Sequence, residues 1–151
     1  MATRCRIIKE CKHNDVPYYE SIYCHLDGYP KGVGLTLYKH FQDEQKIDEL
    51  LNLGDISFLR PNIDCPEGHS FDTPIPEYTV AYGRDRGETD VGKMSAYNLK
   101  NALNGDEDYL YLRKDGRWYF KSASIRLDVD FKPKEWSLIV RPNEKGFIKI
   151  G

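Results

Sequence analysis

The sequence predicts an α+β domain: an antiparallel sheet with two or three helices packed on one face. Three observations lead there. Period-two alternation of apolar and polar residues marks several segments as half-buried strands. Apolar residues at helical spacing are confined to short stretches. Aromatic residues make up 13% of the 151 residues, far more than a disordered chain carries. This length fits one domain over residues 1–151.

The elements follow in order. Residues 2–9 alternate weakly and predict a strand. Lys12 to Pro17 holds Asn, Asp and Pro and reads as a turn. Tyr18 to Asp27 is the clearest strand of the first half. Its even positions (Tyr18, Glu20, Ile22, Cys24, Leu26) form a mostly apolar face, and its odd positions (Tyr19, Ser21, Tyr23, His25, Asp27) a polar-aromatic one. The glycines at 28, 32 and 34 end it. Val33, Leu37 and Phe41 then fall at i, i+4 and i+8, which predicts a helix. Asp43 is placed to cap a second helix with Ile47, Leu50 and Leu51 as its buried stripe and Gly54 just past its end.

Residues 59–77 hold Pro61, Pro66, Pro74 and Pro76 and predict a long ordered loop, a kind of segment that often carries function. Tyr78 to Tyr82 predicts a strand, ended by a charged turn over Gly83 to Glu88. Ser95 is placed to cap a helix that turns Ala96, Leu99, Ala102 and Leu103 inward and stops at Gly105. Tyr109 to Leu112 and Trp118 to Lys121 flank Asp115-Gly116, a hairpin signal. Ile125, Leu127, Val129 and Phe131 alternate with polar residues, as do Trp136, Leu138 and Val140. A last short strand is expected at Phe147 to Ile150.

Charge narrows the function classes. Twenty-two basic residues face 24 acidic ones, a net charge of −2. That disfavours a dedicated nucleic-acid binder and leaves room only for a local basic patch. No segment approaches the roughly 18 apolar residues of a membrane span, and Met1 to Ile8 lacks an export signal. A cytoplasmic protein without membrane contact is expected. The four cysteines (Cys5, Cys11, Cys24, Cys65) form no CxxC pair and read as reduced thiols. Cys11-x-His13 and Cys65-x3-His69 lack the usual paired ligand spacing, so neither metal nor cofactor is expected.

Two segments carry residue types suited to recognition. On a continued strand Tyr23, His25 and Asp27 project from one face, close enough for a carboxylate to orient an imidazole. The glycine-rich turn with Tyr29 then offers backbone N–H groups at a helix start, a setting for an anion. The plainer reading is a strand-turn-helix junction whose glycines solve turn geometry. The second segment runs from Tyr82 to Glu88. Arg84 and Arg86 would share a side if the strand continued, a natural fork for phosphate or carboxylate. The plainer reading there is a solvated turn with Arg paired to Asp85 and Glu88. Cys24 and His25 are adjacent and point to opposite faces, so they make no nucleophile–base pair. The aromatics around Asp115-Gly116 are explained by cross-strand pairing.

The segment Tyr23-Cys24-His25-Leu26-Asp27-Gly28-Tyr29-Pro30 resembles a family of small phage and prophage proteins. In that family the segment precedes a helix pair ending in a Leu-Gly-Asp-x-Ser stretch, here Leu53 to Ser57. Tyr82-Gly83-Arg84-Asp85-Arg86-Gly87-Glu88 also looks like that family, so the likeness spans residues 18–88. The chain departs from the pattern at Leu26, where an aromatic is expected. The resemblance implies a mobile-element origin and transfers no catalytic residue. The resulting expectation is an accessory protein in the host-cell cytoplasm that acts by binding. Its partner would be a host defence protein or a nucleotide-like small molecule, met by Tyr23, His25, Asp27, Tyr29, Arg84 and Arg86. The alternatives are a small hydrolase or transferase acting on a nucleotide with His25 as base, and a protein inhibitor that uses the Pro-rich loop.

Overall fold

The structure, a computed structural model, describes residues 2–103, 106–122, 137–143 and 146–150. Among them nine strands form one sheet: β1 (Cys5–His13), β2 (Val16–Cys24), β3 (Ile56–Phe58), β4 (Val80–Ala81), β5 (Met94–Ala96), β6 (Tyr109–Lys114), β7 (Arg117–Ser122), β8 (Ser137–Asn143) and β9 (Gly146–Ile150). Their order is β4-β3-β2-β1-β6-β7-β8-β9, with β5 paired on β2 beside β3. The fold is α+β, as predicted, and the sheet is mostly antiparallel. The exceptions are the parallel pairs β1–β6 and β2–β3. Each joins strands separated by a long crossover, which parallel pairing requires. Ile125, Leu127, Val129, Phe131 and Trp136 lie outside the described residues.

Local chemistry explains the hairpins. β1 and β2 meet at Asn14 and Asp15, both at positive φ (51° and 65°). β6 and β7 meet at Asp115 and Gly116, also at positive φ (51° and 73°). Two left-handed central residues are the type I′ geometry that matches strand twist.

The helices cover one face, here the helix face. A π turn over Pro30–Gly34 runs into α1 (Leu35–His40), and α2 (Glu44–Asn52) follows. The Asp43 carboxylate caps α2 by accepting from the Gln45 N–H at 3.0 Å. Val33, Leu37, Phe41, Ile47, Leu50 and Leu51 pack on Cys5, Ile7, Ile22, Cys24, Tyr111, Trp118 and Phe120 of the sheet. Two aromatics pin helix to strand with their polar ends: the Trp118 indole donates to the Phe41 carbonyl and the Tyr111 hydroxyl to the Gly28 carbonyl, each at 2.8 Å. A short third helix, α3 (Tyr82–Arg86), continues directly from β4.

The rear face differs from expectation. Residues 95–103 form no α-helix; they are β5 followed by a 3₁₀ turn, Lys100–Ala102. Leu99 still turns inward, with Leu103 packed alongside, onto Ile8, Leu110 and Leu112. A buried charge pair holds this cover in place. The Arg6 guanidinium donates to Glu107 at 2.8 Å and to the Ser21 hydroxyl at 3.1 Å, and Ser21 donates to the Ala102 carbonyl at 2.8 Å. The demand to satisfy these buried groups overrides the helical spacing of the segment.

Two substitutions test this packing. Gly54 sits at φ 79°, and a Cβ there would lie 2.3 Å from the Val91 carbonyl oxygen. Gly54→Ala is expected to lower stability by more than about 1 kcal/mol. Tyr111→Phe leaves the buried Gly28 carbonyl without its donor and is expected to cost about 1–3 kcal/mol. Urea unfolding midpoints of the two variants check both; unchanged midpoints contradict the packing described.

Candidate functional site

The two sequence segments flank one strand. β2 ends at Cys24, β3 runs beside it, and β4 leads into α3 on the far side. On the rear face here Tyr23 and His25 project from the end of β2, since Ile22 and Cys24 face the helices. The Tyr23 hydroxyl lies 2.8 Å from His25 Nδ1. The Tyr23 backbone N–H donates to Asp55 at 2.9 Å, which fixes the strand end against the turn before β3. Burial pushes the Tyr23 phenol up to about 12, against the opposing charge of Arg4. Asp55 stands between Tyr23 and Tyr82, its backbone carbonyl accepting from the Tyr82 N–H at 3.1 Å. Burial likewise raises the Tyr82 phenol.

Tyr82 carries the row onward. Its ring centroid lies 5.7 Å from that of Phe71, and the Arg86 guanidinium sits 4.6 Å over the Phe71 ring. Arg86 also pairs with Glu88 at 3.8 Å and is half exposed. His25, Tyr23, Tyr82, Phe71 and Arg86 thus form a partly exposed polar-aromatic row across the β2–β3–β4 end of the sheet. Tyr23, His25 and Arg86 were expected from sequence. Phe71 and Tyr82 were not. Phe71 comes from the Pro-rich loop, and Tyr82 opens the second segment; an aromatic in each was the only available signal.

Three expected residues leave this row. β2 ends before Asp27, which takes a left-handed backbone (φ 58°) and turns away. Its carboxylate lies 3.6 Å from Arg60 and 3.4 Å from the Tyr29 hydroxyl. Tyr29, 40% exposed, therefore belongs with Asp27 and Arg60. The imidazole of His25 is oriented by Tyr23 and not by Asp27, so the expected carboxylate–imidazole pair is absent among the described residues. Two backbone donors of the following turn are also engaged. Pro30 has none, the Gly32 N–H donates to the Tyr29 carbonyl, and the Val33 N–H donates to the Asp27 carbonyl, each at 2.9 Å. The chain's own carbonyls thus take these two donors from the expected anion setting.

Arg84 is the third. The strand stops at Ala81, so Arg84 and Arg86 occupy a helical turn and point apart. The Arg84 guanidinium donates to both Asp85 oxygens (2.8 and 3.0 Å), to the Thr79 carbonyl at 3.1 Å and to the Ile63 carbonyl. It is a staple for the Pro-rich loop, not a free fork.

Asp85 gathers these contacts. Its side chain is 1% exposed. It accepts from Arg84, from the Ala81 N–H at 2.8 Å and from the Cys65 thiol at 3.7 Å. His69, buried on the same loop, places Nε2 at 3.5 Å from the carboxylate. The Ile75 N–H donates to His69 Nδ1 at 3.0 Å, so the ring proton sits on Nε2 and points to the Thr79 carbonyl at 3.1 Å. Both ring nitrogens are used, which leaves His69 no lone pair for a metal. Among the described residues no group of three or more His, Cys, Asp or Glu side chains is arranged for an ion. All four cysteines are free. No helix among the described residues is long and apolar enough to cross a membrane.

Burial works to raise the Asp85 carboxyl, but the Arg84 hydrogen bonds, the Ala81 N–H and the Arg84 charge outweigh it and hold the group below its ordinary value. The linkage follows. A folded value below the unfolded one gives stability that is present above about pH 4 and is lost as pH falls through the folded value. Asp85→Asn is expected to cost about 3 kcal/mol at neutral pH and to flatten the acid limb of stability. Urea midpoints between pH 2.5 and 6 check it; parallel wild-type and variant curves contradict it.

Comparison with protein-family profiles, with curated proteins and with solved structures returned no match.

Proposed function

We propose that the protein acts by binding a partner protein through the row His25–Tyr23–Tyr82–Phe71–Arg86. The observation that carries this reading is the row itself: four aromatic rings and a guanidinium, partly exposed, set on either side of Asp55 and drawn from three separate stretches of chain. Tyr and Arg are the residue types that most often anchor protein interfaces. A rigid sheet end supplies them with little ordering cost on binding. The occupied donors favour a protein over a small anion here. Arg84 is spent on Asp85 and the loop carbonyls, and the Gly32 and Val33 N–H groups are spent on Tyr29 and Asp27.

The resemblance to phage and prophage proteins supplies the setting. In this reading the chain is an accessory protein in the host cytoplasm, and its partner is a host defence protein that it inhibits by occupying a surface. The Pro-rich loop takes part through Phe71, so the loop and the two segments belong to one interface. Turnover is not part of this reading, because the His25 imidazole is held by Tyr23 and, among the described residues, no carboxylate stands behind it.

The test is native mass spectrometry of the protein purified from an expressing bacterial host, followed by affinity measurement with the protein that co-purifies. Arg86→Ala and Phe71→Ala are each expected to weaken the complex about thirtyfold, the effect of a 2 kcal/mol anchor. Tyr29→Ala is expected to leave it unchanged. Loss of binding in Tyr29→Ala with Arg86→Ala silent would overturn the assignment. Release of a stoichiometric small anion on denaturation, with no protein partner, would replace it with ligand sequestration.

A further inference from the structure

The opening rung of the β1–β2 ladder pairs two cysteines. Cys5 begins β1, Cys24 ends β2, and the register sets them directly opposite each other. Partners across an antiparallel rung point to the same face, and both side chains here enter the helix-face core. Both are fully buried and both are free thiols.

The ladder sets how near they stand. His13 and Val16 flank the two-residue turn and form its closing hydrogen-bonded pair. Bonded and non-bonded rungs alternate from there. Pro17, which has no N–H to give, falls opposite Lys12 on a non-bonded rung. Cys5 and Cys24 fall on a bonded one, where Cα atoms stand about 5.5 Å apart. A disulfide spans Cα separations of about 4.4–6.8 Å. Opposed Cβ atoms lie about 4.5–5.5 Å apart and a disulfide draws them to about 3.5–4.5 Å, so an adjustment of about 1 Å separates the two states.

The fold shields the pair while it is closed. The rung is flanked by Tyr109 of β6 on one side and Ile56 of β3 on the other. The chain leaving β2 lies over it: a Cβ at Gly28 would stand 2.9 Å from the Cys5 Cβ. Burial pushes the Cys5 thiol well above its ordinary value, and the thiolate is the reactive form. The Cys24 thiol donates to the Leu26 carbonyl at 3.4 Å. The other two cysteines are set apart. Cys11 lies further along β1, about 20 Å from Cys5, and faces Tyr18. Cys65 lies in the Pro-rich loop with its thiol against Asp85.

We propose that Cys5 and Cys24 are a latent disulfide site, closed by exchange with an oxidised small-molecule disulfide of the glutathione class when this end of the sheet opens. One cysteine thiolate attacks a sulfur of the oxidant, which forms a mixed disulfide and releases one small thiolate. The other cysteine thiolate attacks the protein sulfur of that mixed disulfide, which closes the S–S bond and releases the second. The two thiol protons pass to the released thiolates. The protein is oxidised by two electrons and the oxidant reduced by two. The new bond ties the start of β1 to the end of β2, between Tyr23 and His25, and restricts the unfolded chain. Reducing surroundings keep the site open and oxidising ones close it. This inference does not rest on the partner-binding reading.

Incubation of the full chain with oxidised glutathione, in buffer and in sub-denaturing urea, tests it, read by intact mass and by peptide mapping without reduction. The expected product is a Cys5–Cys24 link with a loss of about 2 Da at that pair. The link is expected to form at least about tenfold faster in urea, since opening limits access. The oxidised chain is expected to unfold about 5–10 °C above the reduced one, and dithiothreitol to abolish the difference. The double variant Cys11→Ser, Cys65→Ser retains the pair and is expected to give the same link and the same shift. Any of four results would overturn the proposal: thiols that persist at both positions in urea, glutathione adducts on Cys5 or Cys24 in place of the link, a rate indifferent to urea, or an oxidised chain no more stable than the reduced one.

Discussion

The Asp85 carboxylate is the constraint on which the β3–β4 end of the sheet depends. A buried anion is costly unless its lone pairs are filled. Here they are filled by the Ala81 N–H, by the two arms of Arg84 and by the Cys65 thiol, with His69 close behind. The partners come from three pieces of chain. Ala81 ends β4, Arg84 lies in α3, and Cys65 and His69 lie in the Pro-rich loop. One charge therefore fixes a strand end, a helical turn and a long loop relative to one another. The Asp85 backbone adds to this by accepting from the Phe71 N–H at 3.3 Å.

The row on the rear face is a consequence. Phe71 comes from the loop and Tyr82 and Arg86 from α3, and neither stretch has a core of its own. What brings Phe71 between Tyr82 and Arg86 is the set of contacts around Asp85. The loop is closed at its base by Thr79, whose N–H donates to the Asn62 carbonyl and whose hydroxyl donates to the Arg60 carbonyl. Tyr23 and His25 are fixed separately, by the β2 ladder and by Asp55. The sheet supplies rigidity and the Asp85 contacts supply convergence.

Local chemistry made part of this legible in the sequence. The Asp43 cap, the Ile47–Leu50–Leu51 stripe and Gly54 bounded α2 because capping and periodicity act within a few residues. Asp115-Gly116 marked its hairpin for the same reason. Residues 95–103 misled because Ala96, Leu99, Ala102 and Leu103 suit a helix as well as they suit a strand followed by a 3₁₀ turn. The choice between them is made by Arg6, Ser21 and Glu107, which are remote in sequence. Arg84 and Arg86 looked like a pair, since a continued strand would align them. The strand ends because Asp85 reaches back to the Ala81 N–H, and Arg84 is drawn to carbonyls at Ile63 and Thr79 that no local pattern announces. Asp27 left its expected partner because the strand stops at Cys24 and the chain turns left-handed.

The most direct measurement is native-state amide hydrogen exchange of the wild type against Asp85→Asn at neutral pH. If Asp85 assembles this end of the sheet, the amides of Phe71, Ile75 and Ala81 lose protection in the variant, while those of β1, β2 and β6 keep theirs. Unchanged protection at Phe71, Ile75 and Ala81, or an equal loss throughout the sheet, would contradict the central role given to Asp85.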